Sequence, residues 1–121
     1  MYPPIFAVCS ADPAVTALLG TGPTRIYLFG LAPANVVKPY VVWQTIGGAP
    51  ENVLSGRPDV DSHALQVDVY ALTAQSAREV ATAIQRAIEL ECTITGYNGE
   101  SRDTVTLNYR NSFDIDWIVS R

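Results

Sequence analysis

The alternation of apolar and polar residues along the chain predicts a sheet covered by helices. Apolar residues at every second position predict five strands, at residues 24–30, 40–46, 63–71, 92–97 and 113–120, with 103–110 as a sixth candidate. In the last strand, Asp114 and Asp116 face away from the apolar side chains. Charges on the outer face favour an exposed or edge strand.

Two segments have the spacing of an amphipathic helix. In residues 73–91 the apolar side chains recur every three or four positions, and Thr73 is a suitable cap for the first turn. A shorter helix follows Ser10 or Asp12, either of which can cap it, with Pro13 in its first turn. Helices on one face of a mainly antiparallel sheet make an α+β fold, and residues 1–121 are predicted to form one domain.

Proline and glycine mark the predicted irregular segments. The stretch YPPIFAVCS opens with two prolines and predicts an extended N-terminal segment. The stretch NGES predicts a turn. Residues 47–62 contain two prolines and three glycines in 16 residues, which predicts a long loop. Long ordered loops in compact domains are usually functional or mobile, so this one is the first candidate for a binding surface.

Charge and cysteine content narrow the function classes. The net charge is −4, the eight basic residues are scattered, and Lys38 is the one lysine, so a basic nucleic-acid-binding face and a lysine-centred phosphate loop are not expected. No stretch approaches the roughly 20 apolar residues of a membrane span. Cys9 and Cys92 are expected to be free thiols in a reducing compartment.

The candidate chemistry centres on three side chains near the end of the long loop. Asp59, Asp61 and His63 are spaced by two, so an extended backbone would place them on one face, where two carboxylates and an imidazole can bind a divalent ion. The alternative is ordinary turn and strand-start polarity, and this is the interpretation we adopt. His63 is the one histidine and no nucleophile-elbow motif is present, so neither a catalytic site nor a cofactor is predicted.

The order of several weak motifs is more specific than any one of them. The chain reads PYVVWQ, then PENVLSG, DVD and LQVDVYA, followed by a helix of the A-x-x-A/V-x-x-A-I type. This order resembles the tail completion, or tail terminator, proteins of long-tailed bacteriophages and prophages. Those proteins typically have a Pro-Tyr/Phe-Val-Val-Tyr-Gln strand, matched here by Pro39 to Gln44 with Trp43 at the aromatic position.

The resemblance implies a structural role without enzymatic activity, cofactor or metal. Members form a ring, usually hexameric, that stops polymerisation of the tail tube and caps its head-proximal end. The implied partners are further copies of the chain, the tail tube protein and the head connector or stopper protein. DNA passes through the channel without specific binding. The implied location is the virion, after assembly in the cytoplasm of a host bacterium.

Because head-to-tail contacts in a ring need two different patches on each subunit, the long loop is the predicted assembly interface. The candidate residues are Asn52, Leu54, Arg57, Asp59 and Asp61. Two alternatives stay open from the sequence. One is another head–tail connector component, such as a stopper or head-closure protein. The other is a small domain that binds a ligand or a metal through Asp59, Asp61 and His63.

Overall fold

In the computed structural model, which describes residues 2–121, a five-stranded sheet carries three helices. The elements are α1 (Ile5–Ser10), α2 (Pro13–Leu19), β1 (Ile26–Leu28), β2 (Tyr40–Pro50), β3 (Val60–Ala71), α3 (Ala74–Ile88), β4 (Thr93–Arg102) and β5 (Tyr109–Ser120). The strand order is β1-β2-β3-β5-β4; β1 runs parallel to β2, and every other pair is antiparallel. The predicted α+β class is confirmed.

Side-chain caps fix where the two predicted helices begin. The Thr73 hydroxyl accepts a hydrogen bond from the Ser76 amide at 3.1 Å, which starts α3 at the predicted position. Asp12, rather than Ser10, caps α2 by accepting from the Ala14 amide at 2.9 Å. None of the helices within residues 2–121 is long and apolar enough to cross a membrane.

The core lies between the helices and one face of the sheet. The inward strand positions are almost fully inaccessible to solvent because α3 packs on β3 and β5, and α1 and α2 pack on α3. The buried strand residues include Val41, Leu65, Val67, Val69, Phe113, Ile115 and Trp117. Trp43 is partly buried against the same cluster. Both tryptophans therefore pack with the core, as their alternation with aliphatic residues indicates.

One local prediction near the start of the chain is wrong, and of the two placements predicted for the last strand, exposed or edge, the edge is excluded. The segment predicted to be extended contains α1, because burying Ile5 and Cys9 under α3 outweighs the two preceding prolines, which lie before the helix. The last strand, β5, is not at an edge: it lies between β3 and β4, and the sheet edges are β1 and β4. The charges on Asp114 and Asp116 are tolerated because no helix covers their face of the sheet.

The turn predicted at residues 98–101 is also wrong, because strand pairing extends further than the local residues suggest. The stretch NGES lies inside β4, paired with β5 through two irregularities next to Gly96 and Gly99. The turn between β4 and β5 lies instead in residues 103–108. It is closed by the Asp103 carboxylate, which accepts from the amides of Val105 at 2.7 Å and Thr106 at 2.9 Å.

Candidate assembly surface

The outer halves of β2 and β3 form a hairpin arm, which we define as residues 45–64. β1 stops pairing with β2 at Trp43, and from Thr45 onward β2 is exposed. Pairing between β2 and β3 continues to Pro50 and Asp61, and β5 supports β3 along this whole length. With β5 beside it, the arm extends the sheet as three paired strands. The irregular loop spans residues 51–59 and is therefore shorter than the predicted loop at residues 47–62.

The arm loop, residues 51–59, is held at its base by backbone hydrogen bonds. The Glu51 amide donates to the Val60 carbonyl at 2.8 Å, and the Arg121 amide donates to the Asp59 carbonyl at 2.8 Å. The Arg121 guanidinium adds a bond from Nη1 to the Pro58 carbonyl at 2.9 Å. The C-terminal residue therefore ties the loop to the end of β5.

A glycine permits the bend that carries β2 into the arm. The register of β2 on β3 shifts by one residue between Thr45 and Gly47. The next residue, Gly48, has φ of +149°, and a Cβ at that position would overlap the backbone carbonyl of Ser62. Such a backbone conformation and such a close approach are available to glycine alone.

Four of the five predicted interface residues lie in the arm loop and are exposed: Asn52, Leu54, Arg57 and Asp59. Leu54 is the most exposed large apolar residue of the described chain, at 109% of its reference area. Val53, next to it in the chain, is 50% exposed, so the loop presents two adjacent apolar side chains to solvent, and contiguous exposed apolar surface is a feature of interaction sites.

Asp61, the fifth predicted residue, has a role inside the subunit. It lies in β3, where its carboxylate is 3.2 Å from Arg121 Nε and its side chain is only 16% exposed. Because Arg121 is itself 46% exposed, solvent screens this pair and its contribution to stability is about 1 kcal/mol at most. The pair orients Arg121, which in turn binds the loop.

The metal-binding alternative lacks a ligand set in the part of the chain that the structure describes. Among residues 2–121, no three or more His, Cys, Asp or Glu side chains are arranged to hold an ion. Asp61 pairs with Arg121, and the His63 ring lies 5.7 Å from the ring of Tyr2. The regular spacing of Asp59, Asp61 and His63 thus does not by itself produce a three-ligand cluster among the described residues.

A cleft at the opposite end of the sheet was not predicted from the sequence. We call it the tyrosine cleft. It has a volume of about 370 Å³ and is lined mainly by Tyr40, Tyr70, Ser101, Arg102, Asn108 and Arg110. The rings of Tyr40 and Tyr70 stack with centroids 5.1 Å apart. The alternating pattern places both tyrosines on outward positions, but the register that pairs them cannot be deduced from spacing alone.

Charged side chains hold the walls of the tyrosine cleft. Arg110 Nη2 donates to the buried Asp68 carboxylate at 2.8 Å, and Gln66 donates to the same carboxylate. The Arg102 guanidinium lies over the Tyr109 ring, 5.1 Å from its centroid. Burial, and secondarily Tyr70, raise the pKa of the Tyr40 hydroxyl, which favours its neutral form.

A second groove, between α3 and β4, is occupied by its own ion pair. Arg78 donates twice to the Glu100 carboxylate, at 2.7 and 2.9 Å. The hydrogen bond from Arg78 is also the main cause of the lowered pKa of Glu100. Because the two groups neutralise each other at the surface, this groove offers an incoming ligand little unpaired charge.

The two cysteines are poorly suited to nucleophilic chemistry. Burial raises the pKa of the Cys9 thiol to about 12 and that of Cys92 to about 11, with smaller contributions from neighbouring acids. The thiolate is the reactive form, so both groups are almost entirely in the unreactive form at neutral pH. Both are free cysteines.

Native protein is therefore expected to resist thiol reagents. At pH 8 we expect an aromatic disulfide reagent to label Cys9 only as fast as the fold opens, whereas both thiols react at once in denaturant. Unfolded thiols ionise near pH 9 while the folded ones stay protonated. The protonated, buried thiols therefore make their full contribution to the free energy of unfolding below pH 9. This contribution is lost as the pH rises above 9, because the unfolded thiols ionise first. Rapid labelling of Cys9 in the native protein would contradict its burial.

Comparisons with known proteins found a matching family and a matching fold. The model of the family described as "Tail completion protein gp17" matches residues 3–120. Among solved structures, a chain from "Virion of native gene transfer agent (GTA) particle" matches with a TM-score of 0.69 and 16% identity, covering 97% of this chain and 92% of that chain. At that identity the likeness shows the fold alone. The comparison with curated proteins gave no match.

Proposed function

The chain belongs to the tail completion protein family, which is a family of structural virion proteins of bacteriophages, and from this premise we propose that it ends the tail tube. In this proposal it forms a ring, most simply a hexamer, at the head-proximal end of the tail. The ring stops tube growth and presents the surface that joins the head. The observation that carries the proposal is the supported hairpin arm with its fully exposed Leu54.

The arm suits a protein that assembles through a preformed contact. Three strands give it rigidity, and Arg121 fixes the base of its loop, so the loop is presented in a defined position at low entropic cost. Asn52, Arg57 and Asp59 place exposed hydrogen-bonding groups in the same loop as Leu54. An apolar residue within a polar rim is the usual composition of a protein–protein contact.

The partners follow from the same role. The ring contacts other copies of the chain, the last ring of the tail tube protein, and the connector or stopper protein of the head. It assembles in the cytoplasm of the host bacterium and stays in the virion. The net charge of −4 allows DNA to pass through the ring without being retained, because like charges repel. The role requires no catalytic chemistry.

Replacing Arg57 and Asp59 together by alanine is expected to impair capping while leaving the fold intact. Both side chains are exposed, so the free energy of unfolding should change by no more than about 0.5 kcal/mol. Loss of their contacts should instead lower the fraction of capped tubes. Electron microscopy of tail tubes grown with the protein would measure this through tube length and the presence of a cap.

The matched control removes an exposed arginine and an exposed acid elsewhere, through Arg86→Ala and Glu89→Ala on the outer face of α3. This control should cap tubes as the native protein does. If the loop variant limited tube length and formed caps as effectively as the control variant, the arm loop would have no part in termination.

A further inference from the structure

The arm loop and the tyrosine cleft lie at opposite ends of the sheet. β3 begins beside the arm loop at Val60 and ends at Ala71, one residue beyond the cleft tyrosine Tyr70. At about 3.3 Å per residue, this separates the two features by roughly 35 Å. A subunit thus has a protruding feature at one end and a concave one at the other.

The two features offer charges of opposite sign. The arm loop contains Glu51, Asp59 and Arg57, so it has one more acid than base. In the cleft Arg110 is neutralised by Asp68, which leaves Arg102 as the exposed base that a carboxylate of another molecule can approach. Asp103 also lines the cleft, and it accepts bonds from backbone amides of its own turn, which weakens the negative charge that it presents there.

The features also match in polarity. The stacked faces of Tyr40 and Tyr70 give the cleft an apolar wall that an exposed leucine can cover. Arg102 is exposed, and one face of its guanidinium lies over the Tyr109 ring. The guanidinium N–H groups can still donate hydrogen bonds to a carboxylate of another molecule.

We propose that the arm loop of one copy of this chain docks in the tyrosine cleft of the next copy, with Leu54 against the tyrosine stack and Asp59 beside Arg102. The inference rests on the proposed ring. It assigns the two different patches that a head-to-tail contact needs, and because they lie at opposite ends, each subunit binds one neighbour through each end.

Disulfide trapping in the full-length chain tests this contact even where the ring is only transient. Leu54→Cys and Ser101→Cys are introduced together, and the protein is oxidised at high concentration with a mild oxidant. Head-to-tail docking should give a ladder of linked multimers. The control combines Leu54→Cys with Leu90→Cys, since Leu90 is 93% exposed and lies near the other end of β4. It should give far fewer multimers.

A charge swap in the trapping background then tests the pairing of Asp59 with Arg102. Asp59→Arg alone and Arg102→Glu alone should each lower the yield of multimers by about tenfold, because each places like charges together. The two changes combined should restore most of the yield. Thermal unfolding of each variant, expected to be unchanged because both positions are exposed, shows that the effect is not loss of fold.

Three results would overturn the docking. The first is a multimer yield equal to that of the Leu90→Cys control. The second is a product limited to dimers linked through Leu54→Cys on both copies. The third is a multimer yield that the combined charge swap does not restore. Tube capping separates this failure from failure of the proposed function. Normal capping by the Arg102→Glu variant with no trapped ladder would leave the terminator role standing and assign the arm loop to the tail tube protein instead.

Discussion

Replacing Phe113 by alanine is expected to lower the free energy of unfolding by about 3–5 kcal/mol. Phe113 is the largest fully buried side chain of the described residues, and it lies in β5 between Val67 of β3 and Tyr97 of β4. Removing the ring leaves a cavity under α3 that neighbouring strands cannot close without breaking the sheet. Urea denaturation followed by circular dichroism would measure the change.

A neighbouring position on the same strand provides the control for Phe113. Ile118 is 65% exposed on the uncovered face of β5, so Ile118→Ala should change stability by no more than about 0.5 kcal/mol. Equal effects of the two substitutions would mean that β5 does not present Phe113 to the core. The contrast therefore tests which face of β5 lies against the core as well as the energy of one side chain.

Replacing Gly48 by alanine is expected to cost about 2–3 kcal/mol. The new Cβ would overlap the Ser62 carbonyl, and the φ of +149° is one that residues with a side chain rarely adopt. Relief of this overlap requires β2 and β3 to separate at the base of the arm. The measurement is again denaturation, joined to hydrogen exchange of the amides in residues 45–64, which should exchange faster.

The adjacent glycine makes a close control, because the two substitutions should have opposite signs. A Cβ at Gly47 meets nothing within 4 Å, so Gly47→Ala should stabilise the protein by about 0.4–1 kcal/mol through reduced freedom of the unfolded chain. Stabilisation by Gly48→Ala would contradict the close approach of β2 to β3. If the Gly48→Ala variant failed to cap tubes while the Gly47→Ala variant capped them normally, the shape of the arm would be connected to function.

Local patterns determined much of the fold. The spacing of Val80, Ile84 and Ile88 and the cap at Thr73 specify α3 because helix periodicity and capping act within a few residues. The alternation of Leu65, Val67 and Val69 specifies the buried face of β3 in the same way. The order of motifs also indicated the family, which the family match confirms.

The sequence by itself therefore determined α2, α3, the buried faces of the strands and the family, because these depend on patterns among residues close together in the chain. The tertiary structure decided that residues 47–50 and 60–62 pair as strand on either side of a shorter loop, that β5 is interior, and that Arg121 engages Asp61. It also decided that Tyr40 and Tyr70 meet Arg110 in one cleft. These features depend on strand register and on contacts between residues far apart in the chain, and a shift of one residue would move every side chain to the other face.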